Sequence, residues 1–507
     1  MVATYRDDVD AGEIEFMKMD QKRKYFGTDG VRGRVGQPPL VPDFVTRLGF
    51  ASGTVLSQKA AHPTFMIGRD TRQSGEMLQS ALTAGLLAAG ATVVDLGVIT
   101  TPGVAFMVRK LGAEAGVVIS ASHNPVAENG IKFFNSDALK LDSETELEIE
   151  ALLDVPVDLT AVQAGQYGHQ MDGNALREFY VDHLVDEHPD LDLQGMKLVL
   201  DCANGAASWY APQVFSRLGA EVVVIHASPT GVNINEKAGS EHVRRHPEEL
   251  SRLIQEYDAD FGLVFDGDAD RVIFVDEAGN LVDGDHMLAI LADYFQAQGR
   301  LLGDTVVSTS MRNGALVKFF NERGIKFIET PVGDKYVMAA LMELMAEGHP
   351  PAQIGLGGEQ SGHIILMDGW HATGDGLRSA IYVIRAYLAS KPDTLAQMAE
   401  RINKYPQVIA SAFVNEKIAL DQLESVADCQ TNIREALTGL TRLNLRYSGT
   451  EPKVRLMLEA DNRHSEAELA LHAFALCGAV QEATGTPADS FLEVLNVTRG
   501  GLLDRPA

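Results

Sequence analysis

The sequence predicts an α/β protein in which three similar, doubly wound mixed α/β domains precede a C-terminal α+β domain. Three observations support this fold class. The chain has 507 residues, enough for several domains of roughly 100–200 residues each. Short apolar runs typical of strands alternate with longer segments typical of helices, which favours parallel strands joined by helical crossovers. Near the C-terminus this order changes to β-α-β-β-α.

The alternation begins with a helix predicted over Glu76 to Ala89. A strand is expected at Thr92 to Leu96 and another at Gly116 to Ile119, which ends at a loop around Ser122. A second unit repeats the pattern as strand, helix and strand, over Lys197–Asp201, Ala211–Leu218 and Glu221–Ile225. Loops after such strands lie at the carboxyl ends of the strands, where open α/β sheets bind ligands.

Two further segments continue this pattern. Strands at Phe261–Phe265 and Val272–Val275 flank an aspartate-rich loop. A strand at Lys326–Thr330 precedes a helix over Tyr336–Met345. Both segments extend the predicted alternation of strands and helices.

The C-terminal segment is predicted to form a separate α+β domain. A strand is expected at Val408–Val414, a helix at Leu420–Leu437, two strands on either side of a loop after Arg446, and a helix at His464–Thr484. This order lacks the βαβ alternation that precedes it.

Composition limits the possible partners. Lys and Arg number 43 against 70 Asp and Glu, so the net charge is −27. Such a surface repels polyanions, and we expect neither nucleic-acid nor membrane binding. An anionic small substrate would need a local cluster of cations.

The cysteines and the N-terminus indicate a cytoplasmic protein. Cys202, Cys429 and Cys477 lie far apart in sequence and form no metal-binding or disulfide pattern, which suits a reducing compartment. Residues 1–20 are polar and acidic, unlike a signal peptide, and we expect a solvated extension. The most apolar region, residues 81–108, is interrupted by glycine, aspartate and proline and predicts no membrane span.

Three aspartates alternate in one loop. Asp266, Asp268 and Asp270 can point to the same side of an extended turn, and carboxylate oxygens suit Mg²⁺. An EF-hand is the rival interpretation, because Glu277 occupies the twelfth position. However, Arg271 stands where that loop needs glycine, and strands rather than helices flank it. An acidic surface turn is the simplest alternative, but the position between two buried strands favours a metal site.

A serine with a neighbouring histidine follows a predicted strand. Ser122 and His123 lie in a loop that Pro125 stiffens, and Lys132 brings a cation back towards them. A phosphoserine carries roughly −1.5 to −2 charges and would need both a metal ion and donors nearby. Taken alone, the pair fits an ordinary turn equally well.

Two later loops supply binding groups. Glu359 and Ser361 lie between glycines in a loop that ends at His363, and they could bind sugar hydroxyls, although in isolation a polar turn explains them better. The second loop offers a phosphate site built from Arg446, Ser448, Gly449, Thr450 and Arg455. Its arginines, with Arg32, Lys132 and Arg271, are the local cations that the net charge requires. A hairpin turn with surface arginines is the alternative.

These loops, in this order and spacing, resemble the α-D-phosphohexomutase superfamily. The resemblance covers roughly residues 22 to 497 and is carried by the segments 23–33, 119–125, 231–235 and 358–363. Within the superfamily, the chain is most similar to the branch that acts on glucosamine phosphates. It departs from the family pattern at Tyr447 and Arg312, and in its N-terminal extension.

The resemblance implies four domains around a central cleft. Their expected bounds are 21–175 with the phosphoserine loop, 176–284 with the metal loop, 285–400 with the sugar loop and 401–507 with the phosphate loop, after an extension over 1–20. It implies that Ser122 is phosphorylated. One Mg²⁺ per chain would be held by Ser122, Asp266, Asp268 and Asp270.

Further roles follow from the same resemblance. Arg271 would lie beside the phosphoserine, Arg32 and Lys132 would assist proton transfer, His123 would adjoin the nucleophile, and His363 would contact substrate. A sugar 1,6-bisphosphate is the implied activator, and a homodimer is consistent with the family.

The expected reaction converts glucosamine 6-phosphate to glucosamine 1-phosphate through a phosphoserine enzyme and a 1,6-bisphosphate intermediate. The nearest alternative is a phosphomannomutase/phosphoglucomutase with the same mechanism. A metal-dependent sugar phosphatase and a non-catalytic sugar-phosphate sensor are the remaining alternatives.

Overall fold

The structure is a computed structural model that describes residues 23–505, except residues 28, 59, 61, 156–164, 349, 351, 392, 449–451 and 488. The predicted extension over 1–20, and Gly449 and Thr450 of the predicted phosphate loop, lie outside the described residues.

The first sheet is mixed and has the strand order β1-β5-β4-β2-β3-β6. Its strands are β1 (Val31–Arg34), β2 (Thr64–Arg69), β3 (Thr92–Val98), β4 (Ala115–Ile119), β5 (Glu128–Asn135) and β6 (Gln170–Asp172). Strands β4, β2, β3 and β6 run parallel, while β5 pairs antiparallel with both β4 and β1. The helices of this part are α1 (Pro42–Ser57), α2 (Ser74–Ala88), α3 (Thr101–Leu111) and α4 (Ser143–Leu153).

The second sheet has the order β11-β10-β9-β7-β8. Its strands are β7 (Lys197–Asp201), β8 (Glu221–Ile225), β9 (Phe261–Phe265), β10 (Val272–Val275) and β11 (Leu281–Val282). Strand β7 runs parallel to β8 and β9, and β10 turns back antiparallel to β9. A 3₁₀ turn (Asn174–Arg177) precedes the helices of this part, α5 (Glu178–Asp186), α6 (Ala207–Arg217), α7 (Ser240–Arg245) and α8 (Pro247–Tyr257).

The third sheet has the order β13-β12-β14-β15. Its strands are β12 (Leu301–Thr309), β13 (Lys326–Thr330), β14 (Ile354–Gly358) and β15 (Ile364–Met367). Strands β13, β12 and β14 are parallel and β15 is antiparallel to β14. The helices are α9 (Gly284–Ala297), α10 (Gly314–Glu322), α11 (Asp334–Ala346), α12 (Gly376–Ser390) and α13 (Leu395–Glu400).

The fourth sheet differs because every strand pair in it is antiparallel, in the order β17-β18-β16-β19-β20. Its strands are β16 (Gln407–Phe413), β17 (Leu440–Tyr447), β18 (Lys453–Ala460), β19 (Leu492–Asn496) and β20 (Leu502–Leu503). A 3₁₀ turn (Leu420–Gln422) and two helices, α14 (Glu424–Ala436) and α15 (Glu466–Ala483), complete it. The predicted fold class is therefore confirmed: three mixed α/β units and an α+β unit.

Three details differ from the sequence-based expectation. Helix α6 begins at Ala207 rather than Ala211, so Pro212 lies inside it, and the burial of Ala207 and Tyr210 accounts for the extra turn. The helix expected over Leu420–Leu437 is divided into a 3₁₀ turn and α14. Strands β19 and β20 follow the last helix, where no strand was predicted; β19 pairs with β16 and so covers its edge.

The apolar cores show how these units are joined. Alternate residues of β2 point to opposite faces, so Phe65 and Ile67 enter a core with α1 and α2 while Met66 enters another. That second core runs without interruption through the first three units. The fourth sheet has a core of its own, built from residues 408–494. None of the described helices is long and apolar enough to cross a membrane.

Candidate active site

The predicted nucleophile lies at the carboxyl end of β4. Ser122 is buried and has a φ of 52°, so the loop turns sharply and directs its side chain towards the second sheet. Its Oγ donates to Asp266 Oδ2 at 2.5 Å and lies 3.2 Å from His123 Nδ1. The structure thus joins two motifs that are 144 residues apart in sequence.

A buried arginine holds this loop in place. Arg72 pairs with Asp70 at 2.9 Å, and its guanidinium donates to the backbone carbonyls of Ser122, Asn124 and Pro125 at 3.0, 2.8 and 2.7 Å. Asn235, from the second unit, donates to the carbonyls of Ser122 and Asn124 at 2.8 and 3.1 Å. The loop is therefore fixed from both sides.

The three aspartates converge as predicted. Asp266, Asp268 and Asp270 are buried, and one oxygen from each lies within 4.8 Å of the others. Among the described residues, Asp268 Oδ1 and Asp270 Oδ1 are buried without a hydrogen-bond donor. Burial and the two neighbouring carboxylates raise the pKa of Asp266 well above its usual range. Unpartnered carboxylate oxygens that repel one another fit a divalent cation, because the ion would bind these oxygens and offset their charge.

Cations surround this carboxylate cluster. Lys132 Nζ lies 3.0 Å from Asp268 Oδ2, and Thr101 Oγ1 donates to the same oxygen at 2.6 Å. Although burial opposes it, the charges of Asp268, Asp29 and Asp270 raise the pKa of Lys132, so Lys132 is charged at neutral pH. Arg32 forms an ion pair with Asp29, at the edge of the cleft.

Two histidines near the nucleophile have opposite electrostatic environments. Burial, followed by the charge of Arg271, lowers the pKa of His123 to about 4. Burial also opposes protonation of His363, but Asp270 and Asp334 outweigh it and raise the pKa of His363 to about 9. His363 is therefore another cation of the site, 3.6 Å from Asp270.

A cleft of about 380 Å³ opens above Ser122 and receives residues from all four units. Of the predicted sugar-binding loop, Glu359, Ser361 and His363 line it, and Ser361 Oγ is buried without a partner among the described residues. Gly362 has a φ of +90°, and a Cβ there would meet the Val272 carbonyl at 2.2 Å. This close approach fixes the sugar loop against β10, next to the aspartates.

The fourth unit contributes arginines to the same cleft. Arg455 lines it, whereas Arg446 lies directly opposite Arg455 in the β17–β18 pair but is not among the lining residues. Burial and the charge of Arg455 lower the pKa of Arg446. Ser448 is buried, and its backbone carbonyl accepts from Lys417 at 2.6 Å.

Sequence reasoning missed several residues that complete the site. Arg244 lines the cleft from the end of α7, and Asp29 and Asp334 share Lys140 at its rim, at 2.9 and 2.8 Å. Arg72 supports the Ser122 loop from behind. Asp29 lay in a segment that carries the family resemblance, whereas nothing local distinguishes Arg72, Lys140 or Arg244 from surface cations.

Comparison with known families gives matches to four successive segments of the chain. The descriptions are phosphoglucomutase/phosphomannomutase, alpha/beta/alpha domain I over residues 23–155, domain II over 178–279 and domain III over 283–405. The C-terminal domain of the same family matches residues 409–476.

Curated relatives are similar along nearly their entire length. The phosphoglucosamine mutase of Geobacillus kaustophilus is 45% identical over 446 residues, which is 87% of this chain and 95% of the relative. That of Bacillus subtilis is 44% identical over 445 residues, with the same coverage.

Solved structures share the fold at lower sequence identity. A phosphoglucomutase/phosphomannomutase family protein from Burkholderia thailandensis has a TM-score of 0.68 and 23% identity, covering 92% of this chain and 98% of its own. Aspergillus fumigatus N-acetylphosphoglucosamine mutase, in complex with GlcNAc-6P and magnesium, has a TM-score of 0.63 and 17% identity, covering 92% and 97%.

Proposed function

The chain belongs to the phosphoglucomutase/phosphomannomutase family, and on that premise we propose that it interconverts glucosamine 6-phosphate and glucosamine 1-phosphate. The observation that carries the chemistry is the contact of Ser122 Oγ with Asp266 in a buried carboxylate cluster at the floor of a cation-lined cleft. The amino-sugar substrate is supported by the names of relatives that are 44–45% identical over about 95% of their length.

Ser122 is the proposed phosphoryl carrier. Transfer breaks the bond between phosphorus and Ser122 Oγ and forms a bond to the 1-hydroxyl oxygen of the sugar, and the proton of that hydroxyl ends on Ser122 Oγ. The resulting 1,6-bisphosphate turns round in the cleft and returns its 6-phosphoryl group to Ser122 Oγ, whose proton ends on the 6-hydroxyl of glucosamine 1-phosphate. This chemistry depends on positioning and charge neutralisation more than on covalent catalysis by side chains.

Asp266, Asp268 and Asp270, with an oxygen on Ser122, are the residues that would hold one Mg²⁺. When bound, the ion neutralises charge on the transferring phosphoryl group. Arg271 lies beside the same cluster, 3.8 Å from Asp270, and adds a fixed positive charge. Lys132 and Thr101 keep Asp268 oriented, so the carboxylates do not have to rearrange during transfer. We assign Arg32 and Lys132 to assisting proton transfer, and because Lys132 is charged at neutral pH it would do so as a hydrogen-bond donor rather than as a base.

The remaining cleft residues bind the sugar and the phosphate that is not reacting. Glu359 and Ser361 are proposed to contact the sugar hydroxyls, with His363 beside them. Arg455, with Ser448, Gly449 and Thr450, forms the proposed phosphate site, and Arg446, opposite Arg455 on the adjacent strand, adds a more distant positive charge. A sugar 1,6-bisphosphate is the proposed activator, because it can phosphorylate Ser122 in a chain that has lost the group.

The proposal is tested by turnover of glucosamine 6-phosphate, glucose 6-phosphate and mannose 6-phosphate with Mg²⁺ and a trace of sugar 1,6-bisphosphate. We expect a clear preference for glucosamine 6-phosphate. A preference for glucose or mannose phosphate would preserve the mechanism but refute the substrate assignment.

Two controls separate the remaining alternatives. Release of inorganic phosphate in excess of isomer formation would indicate a phosphatase, and binding without turnover would indicate a sensor.

The homodimer stays a prediction, and a light-scattering mass of twice the 54.8 kDa chain would support it.

A further inference from the structure

A second group of metal-ligating side chains lies outside the cleft. His183 and Glu187 are on and just after α5, and His371 is in the loop between β15 and α12. The two Nε2 atoms are 2.8 Å apart, and Glu187 Oε2 is 3.9 Å from His183 Nε2. The ligand atoms of all three residues lie within 4.8 Å of one another. We call these three residues the histidine site.

The ring of His371 is oriented as metal-binding histidines usually are. Its Nδ1 lies 3.1 and 3.0 Å from the two carboxylate oxygens of Asp368. Donation of the Nδ1 proton to Asp368 leaves the lone pair of Nε2 directed at His183. A carboxylate behind the far nitrogen is the common outer-shell arrangement of a ligating imidazole.

The ring of His183 is held by packing. It stacks on Phe106 with a centroid distance of 4.6 Å and an interplanar angle of 20°. Its Nε2 faces His371 Nε2 at 2.8 Å, so the two ring nitrogens share a hydrogen bond. A bound ion would replace this hydrogen bond, with the proton of His183 moving to Nδ1.

Glu187 supplies a carboxylate oxygen, and an arginine holds the carboxylate in place. Arg378 donates from Nη2 to Oε1 at 2.7 Å and from Nε to Oε2 at 3.0 Å. The carboxylates of Glu187 and Asp368 outnumber the single guanidinium of Arg378, so the local charge favours a cation. The three ligand side chains are 14–25% exposed, which leaves a path for an ion.

We propose that His183, Glu187 and His371 form a second metal site, which takes a divalent first-row transition ion such as Zn²⁺ with water completing the shell. Two imidazoles and one carboxylate suit such an ion, whereas the all-oxygen aspartate cluster suits Mg²⁺. Ligand bonds of about 2.0–2.1 Å at a tetrahedral angle need Nε2 atoms about 3.3 Å apart, so the rings must separate by about 0.5 Å.

The position of the site indicates a structural role. It links α5 to the third unit, where Tyr180 also donates to Asp375 at 2.9 Å. Asp375 caps α12, and the first residue of that helix, Gly376, donates to the Ala269 carbonyl in the aspartate loop at 3.0 Å. A bound ion would cross-link two units directly behind the catalytic loop, so we expect it to affect stability more than turnover.

Equilibrium dialysis against Zn²⁺ in millimolar Mg²⁺ tests the proposal, since Mg²⁺ keeps the oxygen site occupied. We expect the protein to bind one more Zn²⁺ per chain than its His183→Gln and His371→Gln variants, whose affinity at this site should fall at least about tenfold. His62→Gln, which changes an exposed histidine of the first unit, should bind as the parent does.

Two further readouts guard against misfolding of the variants. Zn²⁺ should raise the Tm of the parent and of His62→Gln but not of His371→Gln, and the shift rather than the absolute Tm is compared. Co²⁺ should give the intense visible absorption of a nitrogen-containing, low-coordinate site, and this band should disappear in His371→Gln. Equal Zn²⁺ stoichiometry in parent and His183→Gln/His371→Gln would overturn the proposal. Because activity is not measured, these results are independent of the proposed reaction.

Discussion

Two parts of the cleft are built in contrasting ways. The Ser122–aspartate centre lies between the first two units, which share one continuous apolar core with the third, and its groups are buried and multiply hydrogen-bonded. The arginine face, formed by Arg446 and Arg455 on β17 and β18, belongs to a unit with a separate core. Its arginines are exposed, and polar contacts such as Gln360 to Gln407 at 2.8 Å link its unit to the third.

The difference matches two physical requirements. Phosphoryl transfer needs a nucleophile and charges that are already in position, because reorganisation in the transition state costs rate. A bisphosphate that reacts at either end needs a phosphate site that tolerates two orientations of the sugar. A fixed centre that faces an exposed arginine face on a unit with its own core meets both requirements.

The largest expected effect comes from removing the nucleophile. Ser122→Ala should lower kcat by at least about 10⁴-fold, because it removes the proposed phosphoryl carrier. Ser80→Ala, an exposed serine of α2, is the matched control and should retain activity. Residual isomerisation by Ser122→Ala at more than a percent of the parent rate would contradict this prediction, because phosphoryl transfer would then not occur at Ser122.

Asp268→Asn tests the charge of the centre. It removes one of three converging carboxylates and the nearest of the ion-pair partners of Lys132, so kcat should fall by about 10³-fold and the Mg²⁺ concentration for half-maximal activity should rise. Asp258→Asn, an exposed position in the same unit, should behave as the parent does. Unchanged Mg²⁺ dependence would show that the cluster is not the metal site.

Arg72→Lys tests whether turnover depends on a rigid Ser122 loop. Lysine keeps a charge beside Asp70 but cannot reach three carbonyls at once, so the loop of Ser122 should loosen. We expect kcat to fall by about 100-fold with little change in KM, and the free energy of unfolding to fall by about 2 kcal/mol. Arg47→Lys on α1 is the control. A loss of stability without any loss of kcat would mean that catalysis does not require Arg72 to hold the Ser122 loop.

The same contrast explains which parts of the site could be predicted from the sequence. The aspartate loop was predicted because its spacing, between two apolar runs, is local, and the strands β9 and β10 agree with the prediction residue for residue. The contact of Ser122 with Asp266 required the family resemblance, because no local signal links positions 144 residues apart.

Arg72 and Arg244 could not have been found in this way. Each is a single basic residue whose role depends on which carbonyls or cavity the fold brings to it. The added strands β19 and β20 escaped prediction for a similar reason: β19 is stabilised by pairing with β16, about 85 residues earlier in the chain, rather than by a local pattern.

Arg455→Ala tests whether the arginine face binds phosphate. Loss of a charged donor to phosphate should raise KM by about 10–100-fold, while kcat and the free energy of unfolding change much less. Arg463→Ala, an exposed arginine of the same unit that pairs with Asp461 at 2.7 Å, is the control. A large fall in kcat at saturating substrate would show that the arginine face takes part in the transfer step.

Arg446→Ala should have the smallest effect and separates the two arginines of the face. Arg446 lies opposite Arg455 and is not among the residues that line the cleft, so KM should rise only about threefold. Removing one of two like charges on adjacent strands should leave the free energy of unfolding unchanged or raise it by a few tenths of a kcal/mol. The measurement is KM and chemical unfolding of Arg446→Ala beside Arg455→Ala. Equal KM increases in the two variants would mean that the fourth unit moves further over the substrate than this structure shows, because only closure could bring Arg446 into contact with the phosphate.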